Sequence, residues 1–548
     1  MKKIKEFSLI LCLIMIFCGC YKNSNNSSSS YIAKEDSSKI HMYGGANYSD
    51  GTSVISFEER YDKIKKDYPD KTILIWLCDD EIGRYESELN SYLNKNNYDY
   101  VICTKNIIDD SELFDDEYNI KNSDSKILEN AFSDDNQIDI ISTGNYNCNF
   151  FNNNQYYFFV NNDWLEPIDN YLLNTDSGKK LYDIFPVKYW NTLKYNNKIY
   201  GIDGSLKCLN KVAGYKVNAN LVDDLNIDLN DFNGDYLTSL NNIFKKCKEN
   251  KLKFSAGLLN YMTLYNDYDF INENVYINNN GKACNIYETN DVKQIFNKIQ
   301  SAFLSNIDIN LFIEEDDSSN INENSNANNQ GIENLNQYLG ESFLCTGGIH
   351  NGIRTNEFYG LTSSKGEAVE SYQIFPRETK ILHSTNQVTG IYSKSKNKDM
   401  AFDALATIMT DKKINTMLCY GDDYEIIDNQ IKPNGYYNTY MVENKMISYP
   451  FYQYESANTQ SHFKKVINNA DLSKNIGFYF DGKKVSNQLV KMENIINKLN
   501  KEFPSSEYKT GEEYLKELNK KLYDAGLQDV IDEANRQLDE FYKDKTSN

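Results

Sequence analysis

The chain has 548 residues, a formal net charge of −21 and a hydrophobic content of 40%. That length exceeds what a single hydrophobic core usually supports, so we expect at least two domains. A surface this acidic repels phosphate groups, which argues against nucleic acid, anionic membranes and polyanionic ligands as partners.

The N-terminus has the pattern of an export signal. Three lysines precede an apolar run over 7–17, which has signal-peptide length and is too short to cross a bilayer as a helix. The following Phe17-Cys18-Gly19-Cys20 resembles the lipobox of bacterial lipoproteins, in which Cys20 would receive a diacylglycerol. The alternative is an ordinary secretory signal with an incidental cysteine.

The segment after Cys20 is a polar stretch, YKNSNNSSSS, of the kind that tethers an anchored domain. We therefore expect a signal peptide over 1–19. Residues 20–70 would hold the lipidated cysteine, the tether and a polar preamble with one short helix, which begins at Phe57 and ends before Pro69.

The first part of the chain has an α/β pattern. TILIWLC over 72–78 is a continuous apolar run typical of a buried parallel strand, and strands over 100–103 and 138–141 follow, with helical patterns between them. Strands alternating with helices predict a doubly wound sheet. Ligands bind beyond the carboxyl ends of such strands, so this edge would carry Asp79, Asp80, Asn145 and Tyr146.

The stretch YWNTLKYNNKIYGIDGS over 189–205 separates the two halves of the chain. Its Asn196-Asn197 pair tolerates left-handed backbone, and Asp203-Gly204 is a strong turn signal. Two interpretations remain open: an ordinary β-hairpin, or a strand that runs between two lobes beside a ligand.

The second half again mixes strands and helices. Residues 314–337 are a polar, acidic loop; a calcium site is the alternative, but no ligand spacing supports it. Strands are predicted over 212–217, 253–259, 343–348, 372–376 and 390–393, and helices over 237–247, 292–304 and, as one long helix, 396–421. From about residue 485 the pattern is of amphipathic helices, two of them separated by Gly526.

Motifs for catalysis and cofactor binding are missing from the sequence. It has no P-loop, no dinucleotide-binding glycine motif, no nucleophile elbow and no zinc-protease motif. The four histidines lie far apart, and the cysteines have no C-x-x-C pair that would indicate a metal or redox site. We expect neither an enzyme nor a cofactor.

The order of several segments resembles the extracellular solute-binding lipoproteins of bacterial ABC transporters, in the branch that binds oligosaccharides. The segments that carry the resemblance are DWLEPIDNYL over 163–172, YWNTLKYNNKIYGI over 189–202, GYKV over 214–217, NQVTGIYSKSK over 386–396, MLCYG over 417–421, NADLSKNIGFYFDGKKV over 469–485 and KLYDAGLQDVIDEANRQLDEFYK over 521–543. Two features differ from the family pattern: Asp203 stands where relatives often have proline, and the loop after Tyr420-Gly421 is short.

The resemblance implies an α/β, two-lobe, periplasmic-binding-protein-like fold of type II that closes on its ligand by hinge motion. Each lobe would be a doubly wound sheet with flanking helices. We expect lobe 1 over 71–200 and about 338–395, lobe 2 over 201–337 and about 396–485, and C-terminal helices over 486–548. The protein would be a monomer.

The resemblance also implies a sugar-binding cleft with aromatic rings for stacking and carboxylates or amides for hydroxyl groups. The expected stacking residues are Trp190, Tyr146, Tyr215 and Tyr420. The expected hydroxyl-binding residues are Asp79, Asp80, Asn145, Asp203 and Asn386. The alternative is that the rings belong to the core and the acids to a solvated rim. We expect Asp203→Ala to weaken ligand binding more than it lowers stability.

The function that the resemblance implies is a lipid-anchored receptor on the outer face of the membrane that delivers an oligosaccharide to an ABC permease. Two alternatives belong to other classes. One is a surface lipoprotein that adheres to or senses a polymer or peptide without transport, and the other is an extracytoplasmic hydrolase.

Overall fold

The structure is a computed structural model. It describes residues 56–78, 85–106, 137–143, 154–209, 215–232, 236–255, 269–271, 274–307, 309–310, 342–346, 354–355, 371–374, 381–385, 387–421, 424–433, 443–450, 457–496 and 498–547. The predicted signal peptide, Cys20, the tether and the acidic loop over 314–337 lie outside these residues.

Strands in the described residues form two main sheets and several short pairs. They are β1 (Thr72–Cys78), β2 (Tyr100–Asn106), β3 (Ile140–Ser142), β4 (Lys194–Tyr195), β5 (Lys198–Ile199), β6 (Tyr215–Asn218), β7 (Lys253–Ser255), β8 (Asp269–Phe270), β9 (Val275–Ile277), β10 (Ala283–Asn285), β11 (Ile309–Asn310), β12 (Ser342–Thr346), β13 (Arg354–Thr355), β14 (Ser371–Ile374), β15 (Ile381–Leu382), β16 (Thr389–Ile391), β17 (Tyr424–Ile427), β18 (Gln430–Pro433) and β19 (Asp471–Leu472).

Helices cover the sheets and fill the C-terminal part. They are α1 (Phe57–Asp67), α2 (Glu86–Lys95), α3 (Gln155–Asn161), α4 (Asp169–Asn174), α5 (Asp176–Ile184), α6 (Val187–Thr192), α7 (Ala219–Asp224), α8 (Tyr236–Asn250), α9 (Asn290–Leu304), α10 (Lys398–Thr410), α11 (Lys412–Tyr420), α12 (Thr459–Asn469), α13 (Ser486–Ile496), α14 (Leu499–Glu502), α15 (Gly511–Asp524) and α16 (Leu527–Ser547). Within the described part of the chain, none of the helices has both the length and the apolar character that crossing a bilayer requires.

Lobe 1 is built on a four-stranded sheet in the order β16-β3-β1-β2. Strand β1 is parallel to β2 and to β3, whereas β16 runs antiparallel to β3. Six of the seven residues of β1 are buried, which explains why this strand has an unbroken apolar sequence. The core of lobe 1 also includes helices α2 to α6 and α10 to α12.

Lobe 2 contains a mixed six-stranded sheet in the order β11-β7-β12-β6-β14-β13 and an antiparallel sheet in the order β10-β9-β8. A second hydrophobic core joins α8 and α9 to the C-terminal helices, with Ile299, Leu522, Val530, Ala534 and Leu538 fully enclosed. The predicted C-terminal helices are therefore part of lobe 2 rather than an appendage.

The chain crosses between the two cores three times. The first crossing lies between residues 209 and 215, the second between 374 and 381, and the third between 472 and 480. The strand that follows the second crossing lies beside the strand that precedes the third, because β15 pairs in parallel with β19 through Ile381–Asp471 and Leu382–Leu472.

The predicted division of the chain into lobes is wrong in three places. Residues 201–209, which we expected in lobe 2, pack in the core of lobe 1. Strands β12 and β14, which we expected in lobe 1, pair with β6 in lobe 2 through Leu344–Val217 and Tyr372–Val217. Helices α10 to α12, expected in lobe 2, pack in the core of lobe 1. There the Tyr100 hydroxyl donates to Asp403 of α10, and the Tyr92 hydroxyl donates to Asp411 at the junction of α10 and α11.

Two local predictions have clear outcomes. Asn196 and Asn197 have φ angles of 48° and 62°, as the predicted hairpin turn between β4 and β5 requires. The long helix expected over 396–421 is instead two helices. Asp411 ends α10 with extended backbone, and its carboxylate accepts hydrogen bonds from the amides of Lys413 and Ile414 at the start of α11.

Candidate functional site

Three segments meet at one edge of the lobe 1 sheet. Strands β1 and β3 are parallel, so their carboxyl ends lie at the same edge, and the amino end of the antiparallel β16 lies there too. The amide of Thr143 donates to the carbonyl of Val388 at 2.8 Å, and the amide of Val388 donates to the Thr143 hydroxyl at 2.9 Å. We call this the carboxyl edge.

Five of the predicted ligand-binding residues lie just beyond the described ends of these segments. Asp79 and Asp80 follow Cys78, the last residue of β1; Asn145 and Tyr146 follow Thr143; and Asn386 stands between Thr385 and Gln387. Their own positions are outside the described residues, so their roles stay predictions. The strand register nevertheless directs all three segments to the carboxyl edge.

Asp203 also lies at this edge, but its carboxylate accepts hydrogen bonds from the turn that follows it in the chain. Ile202 forms a two-residue bridge with Thr389 of β16, which fixes the position of the next residue. One Asp203 oxygen accepts from the Ser205 hydroxyl at 2.7 Å, and the other accepts from the amide of Lys207 at 2.6 Å. Because the residue is only 3% exposed, burial raises the pKa of its carboxyl, although these hydrogen bonds lower it. Both oxygens of this buried carboxylate are already bound within the protein, which corrects our prediction that Asp203 binds ligand hydroxyl groups.

The turn at Asp203 is fixed from two further sides. The Tyr189 hydroxyl accepts from the Asp203 amide and donates to the Asp203 carbonyl, both at 2.9 Å. Gly204 packs so tightly that an added Cβ would lie 2.3 Å from the Glu443 carbonyl oxygen. Its own carbonyl accepts from the amide of Lys445 at 3.0 Å. The predicted Asp-Gly turn thus joins β5 to a distant part of lobe 1.

Trp190 is enclosed in the lobe 1 core, and this corrects the prediction that it stacks on a ligand. The residue is 1% exposed, and its ring lies parallel to that of Tyr182 with a centroid separation of 5.2 Å. The indole nitrogen donates to the Tyr182 carbonyl at 3.0 Å, and the ring of Phe185 packs edge-on against the indole. No face of this ring is left for a sugar.

Tyr420 is likewise a packing residue, at the end of α11. It is 2% exposed, and its hydroxyl donates to the Glu443 carboxylate at 3.1 Å. The helix ends because Gly421 adopts a φ of 80°, and an added Cβ there would meet the Tyr85 hydroxyl at 2.4 Å. The Tyr420 ring is therefore enclosed in the lobe 1 core, which corrects the stacking role that we predicted.

Tyr215, the last predicted residue, is the first residue of β6 in lobe 2. It pairs with Thr346 of β12 and Ile374 of β14, so its backbone is central in the six-stranded sheet. The structure does not describe its side chain, and its stacking role stays a prediction. Of the predicted ligand residues that the structure describes, Trp190, Asp203 and Tyr420 belong to lobe 1 and Tyr215 to lobe 2.

Sequence reasoning missed three polar residues that build the carboxyl edge next to Asn386. The Thr385 hydroxyl donates to the carbonyl of Gln387 at 2.9 Å and accepts from its amide at 3.2 Å. Asn154, at the start of α3, donates to the Thr385 carbonyl at 3.1 Å. Gln387 lies within the segment 386–396 that carried the family resemblance, but nothing in the sequence distinguished these three residues from ordinary loop residues.

Gln387 has an unusual environment. The residue is 5% exposed, and its side-chain nitrogen is buried without a hydrogen-bond partner among the described residues. A buried amide that lacks a partner carries a desolvation cost, which a ligand oxygen could offset. The described part of the edge thus offers a side-chain amide donor. The described residues contain no cluster of His, Cys, Asp and Glu side chains that could hold a metal.

Comparison with known proteins gives two matches of different extent. Residues 474–543 match a family described as a domain of unknown function, DUF3502. This match spans the third crossing and the C-terminal helices α13 to α16. No curated protein matches the chain in sequence.

Solved structures match over most of the chain. The crystal structure of an N-glycan transport solute binding protein from Streptococcus pneumoniae is 17% identical with a TM-score of 0.58, covering 87% of this chain and 100% of that chain. The same protein in complex with Man1GlcNAc is 18% identical with a TM-score of 0.52, covering 86% and 100% of the two chains. Its complex with Man5GlcNAc is 18% identical with a TM-score of 0.51, covering 87% and 99%. The chain thus has the α/β fold of extracellular solute-binding proteins, as the sequence predicted.

Proposed function

We propose that this protein is an extracellular solute-binding protein that captures an oligosaccharide between its two lobes and delivers it to the permease of an ABC importer. The observation that carries this proposal is the fold match along the full length of an N-glycan transport solute binding protein. The convergence of three segments at the carboxyl edge supports it, because ligands of two-lobe α/β proteins bind at such edges.

The chemistry of the described edge favours a neutral, hydroxyl-rich ligand. The described group that lacks a partner among the described residues is the buried amide nitrogen of Gln387, a donor that suits a sugar hydroxyl. The net charge of −21 disfavours a polyanion. Because the relative was solved with Man1GlcNAc and Man5GlcNAc, oligosaccharides containing mannose and N-acetylglucosamine are the first ligands to test.

The proposal includes a membrane anchor and a binding role without catalysis. The lipobox-like sequence at Cys20 supports attachment to the outer face of the membrane through a diacylglycerol. The related solved structures are of binding proteins, which supports a receptor rather than a hydrolase. The permease partner follows from the transport role and from the resemblance of the chain to ABC-transporter lipoproteins.

A thermal-shift screen tests the ligand class. Purified protein without its signal peptide is mixed with mannosyl, fructosyl and glucosyl oligosaccharides and, as the comparison class, with peptides and amino acids. A ligand at 100 times its dissociation constant stabilises the folded state by about 2.7 kcal/mol. We expect a shift with at least one oligosaccharide; shifts with peptides alone would contradict the proposal.

The same mixtures test the absence of catalysis. After long incubation, chromatography of the oligosaccharide that binds should show the unchanged compound. Release of shorter saccharides would assign the protein to the hydrolases instead.

A further inference from the structure

The last turns of α16 run alongside the third crossing in the opposite direction. Lys545 donates from its ammonium group to the Lys474 carbonyl at 3.0 Å, and the Tyr542 hydroxyl donates to the side-chain carbonyl of Asn475. One helical turn earlier, Phe541 packs edge-on against Phe478 with a centroid separation of 5.6 Å. The helix therefore contacts the crossing at residues 474, 475 and 478.

A fourth position extends these contacts to residue 481. The side chain of Gln537 accepts from the Asp481 amide at 2.8 Å and donates to the Asp481 carbonyl at 2.9 Å. A paired contact of this kind holds the local backbone as a neighbouring strand would. One face of α16 thus contacts the chain from residue 474, within the third crossing, to residue 481, just after it.

The same crossing is also bound to lobe 2 through Asp269. The Asp269 carboxylate accepts from the Ser473 hydroxyl at 2.5 Å and from the side-chain amide of Asn475. Its other oxygen lies within hydrogen-bond distance of the ring of His383, which follows β15. Asp269 belongs to β8, so one carboxylate from lobe 2 joins the third crossing to the residues that follow the second.

Asn475 connects the two sets of contacts. Its amide nitrogen donates to Asp269 and its amide oxygen accepts from Tyr542, so both ends of the side chain are used in one orientation. Displacing α16 would free that amide and weaken the link to Asp269. The position of the C-terminal helix is therefore coupled to the crossing segments by direct hydrogen bonds.

The segment that matches the family of unknown function, 474–543, begins at this crossing and ends at its partner face on α16. We propose that the function of this C-terminal segment is to brace the interlobe crossings, with Asn475 and Tyr542 as positioning residues. The brace holds the third crossing in one conformation and, through Asp269, holds His383 and the adjoining β15 beside it. Lobe angle and ligand affinity then depend on α16, because affinity falls when the binding-competent conformation is less populated.

Hydrogen exchange of the ligand-free protein tests the brace without reference to any sugar. The amide of Ser473 donates to the Leu382 carbonyl at 2.8 Å, and the amide of Gly477 donates to the Tyr157 hydroxyl at 2.9 Å, so the exchange of both reports on the crossing. Tyr542→Phe removes only the hydroxyl. We expect exchange over 471–478 to become up to about tenfold faster, as loss of one hydrogen bond permits.

Tyr523→Phe is the matched control. The Tyr523 hydroxyl donates to Glu288 at 2.9 Å and so joins α15 to lobe 2 away from the crossings. The Tyr523→Phe variant should leave the rate of hydrogen exchange over 471–478 unchanged. Asn475→Ala should increase this rate at least as much as Tyr542→Phe does. Equal exchange in the two tyrosine variants, or an effect of Asn475→Ala without one of Tyr542→Phe, would overturn the brace.

Discussion

Burial of the Asp203 carboxylate carries a desolvation cost, which its hydrogen bonds to Ser205 and to the Lys207 amide offset. We first expected Asp203→Ala to affect the ligand more than the fold, and the contacts reverse that order. The variant should lower the free energy of unfolding by about 1–3 kcal/mol, because two donors lose their acceptor. Urea denaturation measures this loss. Ser205→Ala should cost less, since it removes one bond; an unchanged stability for Asp203→Ala together with lost affinity would restore the ligand role.

The pH dependence of stability gives a second test of Asp203. Because burial raises the pKa of its carboxyl above 3.8, the folded state holds this proton more tightly than the unfolded state. The stability that this group contributes is present in full below 3.8 and is lost as the pH rises through the folded pKa. Each unit of pKa shift corresponds to about 1.4 kcal/mol.

Asp203→Asn cannot titrate and isolates this contribution. We expect the stability of wild type relative to the variant to fall as the pH rises above 3.8. Denaturation of both proteins at matched pH values measures this difference in stability, in which the contributions of the other acidic residues cancel. A difference that stays constant across this range would show that the carboxyl pKa is not raised.

Gln387 is the described residue that most directly reports on ligand binding. Gln387→Met keeps the length of the side chain but removes its buried amide, whose nitrogen has no protein partner among the described residues. Affinity for the oligosaccharide found in the screen should fall about tenfold, while the unfolding midpoint stays near that of wild type. Calorimetric titration measures the affinity. Gln528→Met, on the exposed face of α16, is the control and should bind as wild type does.

At the residue scale, the sequence indicates which segments approach the carboxyl edge but not which side chains bind a ligand. The carboxyl ends of parallel strands coincide, so Asp79 and Asn145 are expected at the edge from the strands that precede them, and their roles stay predictions. Trp190 and Tyr420 were assigned to the ligand wrongly, since a sequence shows that a ring is present but not which neighbours cover it. The Tyr182 ring stacks on Trp190, and the Glu443 carboxylate accepts from the Tyr420 hydroxyl.

Among the elements, α1 is bound to the lobe 1 sheet by a buried charged side chain. Its Arg60 is 3% exposed, pairs with Glu86 of α2 at 3.0 Å, and donates to the hydroxyl and the carbonyl of Thr104 in β2. Burial raises the pKa of the Glu86 carboxyl, and the nearby Arg60 charge opposes that rise. This buried pair holds α1 against the edge strand.

Arg60→Ala should therefore be strongly destabilising. It leaves the Glu86 carboxylate buried without its cation, a change that typically costs about 3–5 kcal/mol. Chemical denaturation measures the loss, and Lys65→Ala on the exposed face of the same helix is the control. A loss below about 1 kcal/mol would mean that α1 is held by its apolar contacts instead.

Element boundaries were predictable where the signal was local. The strand at 72–78 and the Asn-Asn hairpin follow from apolar burial and from backbone preference within a few residues. The break between α10 and α11 was missed because the apolar face continues across it, and only the capping contacts of Asp411 reveal it. Local chemistry thus gave the type of each element more reliably than its ends.

For the whole molecule, the two-lobe fold was predictable but the division of the chain was not. Strand β6 takes its partners from β12 and β14, more than 120 residues later in the sequence. Apolar patterns show that an element is buried but not which core it joins, so strands β12 and β14 and helices α10 to α12 were assigned to the wrong lobes. The resemblance gave the fold because the order of segments carries long-range information that periodicity lacks.

The proposed function requires that the sugar bind between the lobes and draw them together. Small-angle X-ray scattering of the purified protein, with and without the oligosaccharide that raises its unfolding midpoint, tests this most directly. We predict a smaller radius of gyration on saturation with that sugar and no change with an oligosaccharide that gives no thermal shift. Saturable binding with an unchanged radius of gyration would contradict capture by lobe closure.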